Sequence, residues 1–178
     1  MRIFICGTTC VGKTSLIEEL KKLNKFKNYE VVPSARQKII DLGLSHTQES
    51  NDETQTIYFD HYLEYYDKYN IIFDRSLIDV ITFSEWLVNE DKVADFTYYN
   101  QLSHFMILDK RIDDYYFFIK PEFPLINDGF RTITEEMRQD ISFRMERILK
   151  YLEIDYFYLS GTVQERLNQV QQVLDKQF

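Results

Sequence analysis

The chain has 178 residues, a net charge of −8 and two cysteines. This length suits one domain with a sizeable core, and no linker, repeat or low-complexity tract divides it, so we expect residues 1–178 to form a single domain. The acidic balance argues against nucleic acid and anionic membranes as partners and favours a small-molecule substrate. The chain has no apolar run of about 20 residues and no apolar leader, so we expect a cytoplasmic protein without a membrane segment.

The first motif is the sequence GTTCVGKT, which follows an apolar segment that predicts a strand and precedes an amphipathic segment that predicts a helix. Glycines at both ends let backbone N–H groups converge on one anion. Lys13 then reaches the outer phosphates, as an exposed catalytic residue, and the Thr14 hydroxyl reaches a magnesium ion. The motif therefore predicts a nucleoside triphosphate site with Mg²⁺. Its predicted binding residues are Gly7, Thr8, Thr9, Cys10, Val11, Gly12, Lys13, Thr14 and Ser15.

Apolar strands alternate with helical segments along the chain, a pattern that predicts βαβ units. We expect a three-layer α/β domain with a five-stranded parallel sheet in the order 2-3-1-4-5, a helical lid, and the site at the carboxyl edge of the strands. The predicted strands are residues 2–6, 29–32, 71–73, 115–119 and 156–159. The predicted helices are residues 13–25, 34–42, 52–69, 76–88, 91–109, 133–152 and 162–175.

Several residue types that often carry chemistry are assigned to packing. Cys6 and Cys10 lack further cysteine ligands and are expected to be reduced thiols. Trp86 lies among apolar residues and is expected in the core or in a dimer contact. The tyrosines at positions 58, 62, 65 and 69 fall on one face of the predicted third helix, which favours core packing over base stacking.

The third predicted strand ends in the sequence NIIFDRS. A carboxylate at that point lies beside the phosphate loop in P-loop folds, where it organises magnesium. Asp74 is therefore a candidate metal ligand and catalytic residue, and the adjacent Arg75 is a second candidate catalytic residue. The alternative is that Asp74 or Ser76 caps the following helix. The sequences Asp-x-x-Gly and Asn-Lys-x-Asp expected of a switch-type GTPase are absent from the corresponding places.

An acceptor site is predicted after the second strand, in the sequence VVPSAR. Ser34 and Arg36 stand there, and Arg36 suits an acceptor phosphate or hydroxyl near the loop. With Asp74 and Arg75 they form the predicted substrate-binding set. The alternative for Arg36 is an ordinary surface position on the second helix.

A basic lid is predicted at about residues 120–145. Its prolines and Asp-Gly indicate a loop, and Arg131 and Arg138 are expected to stabilise the transferred phosphoryl group when the lid closes. The alternative is a solvated helix face, on which the arginines pair with neighbouring acids such as Glu135 and Asp140.

These motifs resemble the P-loop nucleoside and nucleotide kinase superfamily and, within it, the AAA-like family that includes the nicotinamide riboside kinase domain of NAD-biosynthesis regulators. The resemblance covers nearly the whole chain, although only the first motif is highly specific. The Asp-Arg-Ser stretch is similar to that of deoxynucleoside and thymidylate kinases, which implies acceptor handling by Asp74 and Arg75. The resemblance also implies that Gly161 and Thr162 lie along adenine. It rests on GTTCVGKT, VVPSAR, Gln55, NIIFDRS, NDGFR and SGTVQER.

The implied activity is ATP-dependent phosphoryl transfer to a nucleoside or a nucleoside monophosphate. Relatives that phosphorylate a hydroxyl commonly carry an acid after the second strand, whereas this chain has Ser34 there. Because Arg36 and Arg75 complement a phosphate, a monophosphate acceptor is favoured, with Asp74 as the base if the acceptor is a nucleoside. The alternatives are a nicotinamide riboside-type kinase, a P-loop NTPase switch and a kinase of a modified base in DNA. The sequence leaves a homodimer open.

Overall fold

The computed structural model describes residues 1–45, 49–90, 97–109, 111–125 and 133–176. The strands in these ranges are β1 (Arg2–Cys6), β2 (Glu30–Val32), β3 (Ile71–Asp74), β4 (Asp114–Ile119) and β5 (Tyr156–Leu159). The α-helices are α1 (Lys13–Lys22), α2 (Arg36–Asp41), α3 (Asp52–Leu63), α4 (Leu77–Asn89), α5 (Thr97–Leu108), α6 (Glu135–Tyr151) and α7 (Val163–Asp175).

The five strands form one parallel sheet in the order β2-β3-β1-β4-β5, which confirms the predicted fold class. The first strand lies in the centre, so the loop that follows it meets β3 on one side and β4 on the other. In the pairing of β1 with β3, Ile5 stands opposite Asp74. The register therefore brings Asp74 to the same edge of the sheet as the glycine-rich loop.

Each face of the sheet carries its own apolar core, because alternate residues of a strand point to opposite faces. Phe4 stacks between Phe73 and Tyr116 on the face covered by α3 to α6, at ring-centroid distances of 4.7 and 4.5 Å. Ile3 and Ile5 pack on the opposite face against α1 and α7. The fold thus has the three layers that the sequence predicts.

The third helix is shorter than predicted. It ends at Leu63 rather than at residue 69, and the chain continues in turns whose N–H groups bond three residues back, which brings Asn70 to the sheet. The prediction of one tyrosine face on a single helix is therefore wrong for Tyr65 and Tyr69. Tyr62 is buried in the core as expected, whereas Tyr69 is exposed.

Trp86 is buried in the core on α4, which is one of the two positions predicted for it, the other being a dimer contact. Both cysteines are free thiols, Cys6 buried and Cys10 half-buried. Among the described residues, no helix is long and apolar enough to cross a membrane.

Candidate functional site

A cleft of about 660 Å³ opens at the carboxyl edge of the sheet. Three loops that follow β1, β3 and β5 meet there, as parallel strands require. The cleft also receives the segments after β2 and β4. Its lining residues are Cys10, Val11, Gly12, Lys13, Thr14, Ser15, Ser34, Arg36, Asp74, Arg75, Phe123, Pro124, Gly161, Thr162, Val163 and Arg166.

The glycine-rich loop is held by two glycines with left-handed backbone angles. Gly7 has φ 146°, and a Cβ there would lie 2.5 Å from the carbonyl oxygen of Ile119. Gly12 has φ 87° and stands at the N-terminal end of α1. The N-terminus of this ten-residue helix therefore points into the loop and favours an anion. Thr8 and Thr9 are buried below the cleft surface rather than lining it.

The expectation of an exposed Lys13 is wrong, because only 6% of the residue is accessible. Its Nζ donates hydrogen bonds to the carbonyl oxygens of Gly7 at 2.8 Å and Thr8 at 2.6 Å. These bonds hold the ammonium group within the loop, at the place where phosphates are predicted. Lys13 thus stabilises the folded loop, in addition to its predicted role of placing a positive charge beside the phosphates.

Thr14 and Asp74 lie side by side on the floor of the cleft. The Thr14 hydroxyl donates to Asp74 Oδ2 at 2.7 Å. Asp74 does not cap α4, since Ser76 is the capping residue. The described residues contain no cluster of three histidine, cysteine or acidic side chains suited to a metal. One hydroxyl and one carboxylate fit Mg²⁺, which takes few protein ligands and completes its shell with water and substrate phosphates.

A buried carboxylate that the sequence reasoning missed joins the loop to Arg75. Asp79 accepts hydrogen bonds from the N–H of Gly7 at 3.3 Å and from the N–H and hydroxyl of Ser76 at 2.8 and 3.0 Å. Arg75 Nη1 lies 3.6 Å from Asp79 Oδ1. Arg75 has φ 89°, an unfavourable backbone angle for a residue with a side chain, which its surroundings must maintain.

Burial raises the pKa of the Asp79 carboxyl, with Arg75 and Lys13 acting in the opposite direction. Burial also raises the pKa of the Cys6 thiol, and the nearby Asp79 adds to that effect. Cys6 therefore stays protonated at neutral pH and donates weakly to the hydroxyl of Ser76 at 3.2 Å.

The predicted acceptor residues lie on the β2 and β3 side of the loop. Ser34 and Arg36 line the cleft together with Asp74 and Arg75. Arg36 is the first residue of α2, and its backbone N–H donates to the Ser34 hydroxyl at 3.4 Å. Among the described residues, no carboxylate pairs with the Arg36 side chain.

The predicted lid arginines are not both visible. Arg131 lies outside the described residues. Arg138 is 1% exposed on α6, where it pairs with Glu135 at 2.8 Å and donates to the carbonyl oxygen of Phe123 at 3.2 Å. It does not line the cleft, and α6, which carries it, begins at Glu135.

The β4 and β5 side of the cleft contains residues that the sequence reasoning named only in part. Gly161 and Thr162 line it as predicted, and Thr162 caps α7. Phe123 and Arg166 were not predicted. The sequence did contain a sign that Arg166 is unusual, because this arginine stands four residues before Val170 on the apolar stripe of α7.

A family model described as an AAA domain matches residues 2–166. The search of the curated proteins found no match. Among solved structures, a NadR protein in complex with NR has a TM-score of 0.73 and 19% identity, and the alignment covers 98% of this chain and 50% of that chain. The chain thus spans about half the length of the NadR protein.

Two shorter kinases align over nearly their whole length. The deoxyadenosine kinase from M. mycoides with bound dATP has a TM-score of 0.70 and 19% identity, with 98% of this chain and 99% of that chain covered. The thymidylate kinase from Candida albicans has a TM-score of 0.65 and 13% identity, with 99% and 91% covered. At these identities the likeness shows the fold, which is that of P-loop nucleoside and nucleotide kinases.

Proposed function

Because the chain belongs to the AAA domain family and has the P-loop kinase fold, we propose that it transfers the terminal phosphoryl group of ATP to a nucleoside monophosphate. The observation that carries the proposal is the layout of the cleft. Its central loop carries Lys13, one side carries Arg36 and Arg75, and the other carries Gly161 and Thr162.

The loop and the residues around it perform the donor chemistry. Amide groups of residues 8–14 and the N-terminus of α1 hold the β- and γ-phosphates, and Lys13 places its charge beside them. Thr14 and Asp74 would hold Mg²⁺, which when bound would supply positive charge to the donor phosphates. Arg75 is held beside the loop by Asp79, so its guanidinium is positioned before substrate arrives.

The acceptor is inferred from charge. Asp74 is the one carboxylate among the described residues that line the cleft, and it already accepts the Thr14 hydroxyl. A nucleoside hydroxyl would need a base, whereas a monophosphate is already an anion near neutral pH and needs only cations to hold it. Arg36, which has no carboxylate partner in the described ranges, and Arg75 are those cations.

The test compares each nucleoside with its monophosphate as acceptor for ATP, using the wild type, Arg36→Ala and Asp74→Asn. Charge-assisted hydrogen bonds contribute about 1.5–3 kcal/mol each, so the monophosphate should exceed its nucleoside in kcat/KM by roughly tens-fold or more. Arg36→Ala should remove most of that preference. The matched control is Lys38→Ala, a cation on the same helix that pairs with Glu64 outside the cleft.

Two outcomes would contradict this proposal. A preference for nucleosides, nicotinamide riboside included, that survives Arg36→Ala would assign the acceptor as a nucleoside and leave Asp74 as its candidate base. Transfer to a nucleoside that persists in Asp74→Asn would exclude that base role. ATP hydrolysis that no acceptor alters would indicate an NTPase switch instead of a kinase.

A further inference from the structure

Arg166 is a buried cation in an unfavourable place. It is 2% exposed and lies in the first turn of α7, where the helix dipole repels positive charge. Desolvation adds to that cost. A side chain in such a position is retained only if its contacts compensate for both effects, so those contacts indicate its role.

The guanidinium of Arg166 connects three loops of the cleft. Nη1 donates to the carbonyl oxygen of Val11 at 2.5 Å, and Nη2 donates to Glu122 Oε2 at 3.1 Å. The same Glu122 oxygen accepts the N–H of Gly161 at 2.9 Å. We call Val11, Glu122, Gly161 and Arg166 the donor-side junction. It ties the glycine-rich loop to the segments that follow β4 and β5.

Two further contacts place the junction in the wall of the cleft. A Cβ at Gly12 would lie 3.3 Å from Arg166 Nη1, so the guanidinium packs directly on the loop. The Cζ atom of Arg166 lies 5.8 Å from the ring centroid of Phe123. The buried Nε–H of Arg166 has no hydrogen-bond partner among the described residues.

The junction lies on the β4 and β5 side of the loop, opposite the predicted acceptor residues. A nucleoside triphosphate with its phosphates in the loop must place its base on one of these two sides. The junction side offers apolar and small residues, namely Phe123, Pro124 and Val163, with few charges of its own. It therefore suits the neutral base of the donor, whereas the opposite side suits an anion.

We propose that Arg166 and Glu122 are positioning residues for the donor nucleotide, because they fix the distance between the phosphate loop and the wall against which the donor base lies. This inference rests on the proposed function. A triphosphate without a base binds through the glycine-rich loop alone. ATP binds through the loop and the wall together, so its affinity depends on the distance between them. Breaking the junction should therefore weaken ATP binding more than the binding of inorganic tripolyphosphate.

The experiment measures Kd for ATP and for tripolyphosphate by titration calorimetry with Mg²⁺ present. We expect Arg166→Ala to raise the Kd for ATP by roughly 10- to 100-fold, as for loss of a hydrogen bond to a charged group, and to raise the Kd for tripolyphosphate much less. Glu122→Ala should weaken ATP binding by about 10-fold, and Glu122→Gln should restore most of the affinity, since its amide oxygen still accepts both donors.

Glu122→Ala separates positioning from simple charge. If charge alone mattered, removing a carboxylate near a polyanion would tighten ATP binding, which is the opposite of the expected result. Combining Glu122→Ala with Arg166→Ala should add little to the effect of Arg166→Ala, because both break one junction. Arg144→Ala is the matched control, since Arg144 pairs with Asp140 at 3.0 Å on α6 outside the cleft.

Tighter ATP binding in Glu122→Ala, or equal losses for ATP and tripolyphosphate, would overturn the positioning role. If Arg166→Ala fails to fold, Glu122→Ala decides alone, because the Glu122 side chain is one-third exposed and its loss should be tolerated. A wild-type protein that binds neither ligand would instead contradict the proposed function.

Discussion

We expect replacement of Asp79 to disturb the fold and the site together. The residue is 4% exposed, so the groups that bond to it cannot turn to solvent when it is removed. Asp79→Ala leaves the N–H groups of Gly7 and Ser76 without their acceptor and Arg75 without its carboxylate. A buried unsatisfied donor costs about 1–3 kcal/mol, and loss of one partner from a buried ion pair about 3–5 kcal/mol.

These costs do not add in full. The Gly7 bond is long at 3.3 Å, and the Arg75 side chain is 23% exposed, which allows partial hydration. We therefore expect Asp79→Ala to lower the free energy of unfolding by about 3–5 kcal/mol in total. Asp79→Asn keeps an oxygen for the Ser76 N–H and should cost about 1–2 kcal/mol.

The pH dependence provides a second measurement of the same residue. Because burial raises the pKa of Asp79 in the folded state, the native protein binds this proton more tightly than the unfolded chain. The contribution of Asp79 to the free energy of unfolding is therefore fully present below the pKa that this carboxyl has in the unfolded chain. It is lost as the pH rises through the higher pKa of the folded protein. The difference in free energy of unfolding between wild type and Asp79→Asn should therefore become smaller as the pH rises through this range.

Urea unfolding followed by tryptophan fluorescence suits the measurement, since the single tryptophan, Trp86, is buried on the same helix as Asp79. The control is Asp60→Ala, which removes an exposed carboxylate from α3 and should change stability by no more than about 0.5 kcal/mol. A loss below about 1 kcal/mol in Asp79→Ala would refute the reasoning, because the buried donors would then have found other partners.

Three further predictions use other residues. Lys13→Ala should lower kcat by about 100-fold or more and, because Lys13 is buried, also lower the free energy of unfolding by about 1–3 kcal/mol; normal turnover with ATP would refute its role. Arg138→Ala should reduce the melting temperature while leaving kcat for the folded fraction unchanged, and an unchanged melting temperature with reduced kcat would restore the lid role. Hydrogen bonds from Lys120, Lys150 and Tyr158 lower the pKa of Glu146 to about 2. Glu146→Gln should therefore cost on the order of 1–3 kcal/mol at pH 7, in urea unfolding, and the difference from wild type should disappear as the pH falls from about 4.5 through 2.

The fold could be predicted from the sequence because its signals are local. Short apolar runs identified all five strands, and the loop between β1 and α1 has a spacing that few other structures require. Right-handed crossovers then left few possible strand orders. The end of α3 was missed because no glycine or proline marks it; residues 64–68 form turns as the chain approaches β3.

The supporting contacts of the site could not be predicted, because they join residues far apart in sequence. Gly7 and Asp79 are 72 positions apart, and Val11 and Arg166 are 155 apart. A local pattern can mark a charged residue as unusual, as the apolar stripe of α7 does for Arg166, but it does not identify the distant partner. Arg138 shows the same limitation in reverse: its position in a basic stretch suggested a lid residue, whereas the fold buries it against Glu135 and the backbone of Phe123.

Net charge describes the whole surface and gives no information about the cleft. The chain carries a net charge of −8, yet the described residues that line the cleft include four cations, Lys13, Arg36, Arg75 and Arg166, and one carboxylate, Asp74. Low-dielectric walls focus such a local field, so the cleft attracts small anions that the rest of the surface repels. Lys13 lies in the loop that is proposed to hold the donor phosphates, and the acid partner of Arg166 is Glu122. Arg36 has no such partner in the described ranges, and an anion bound on the acceptor side would give it one.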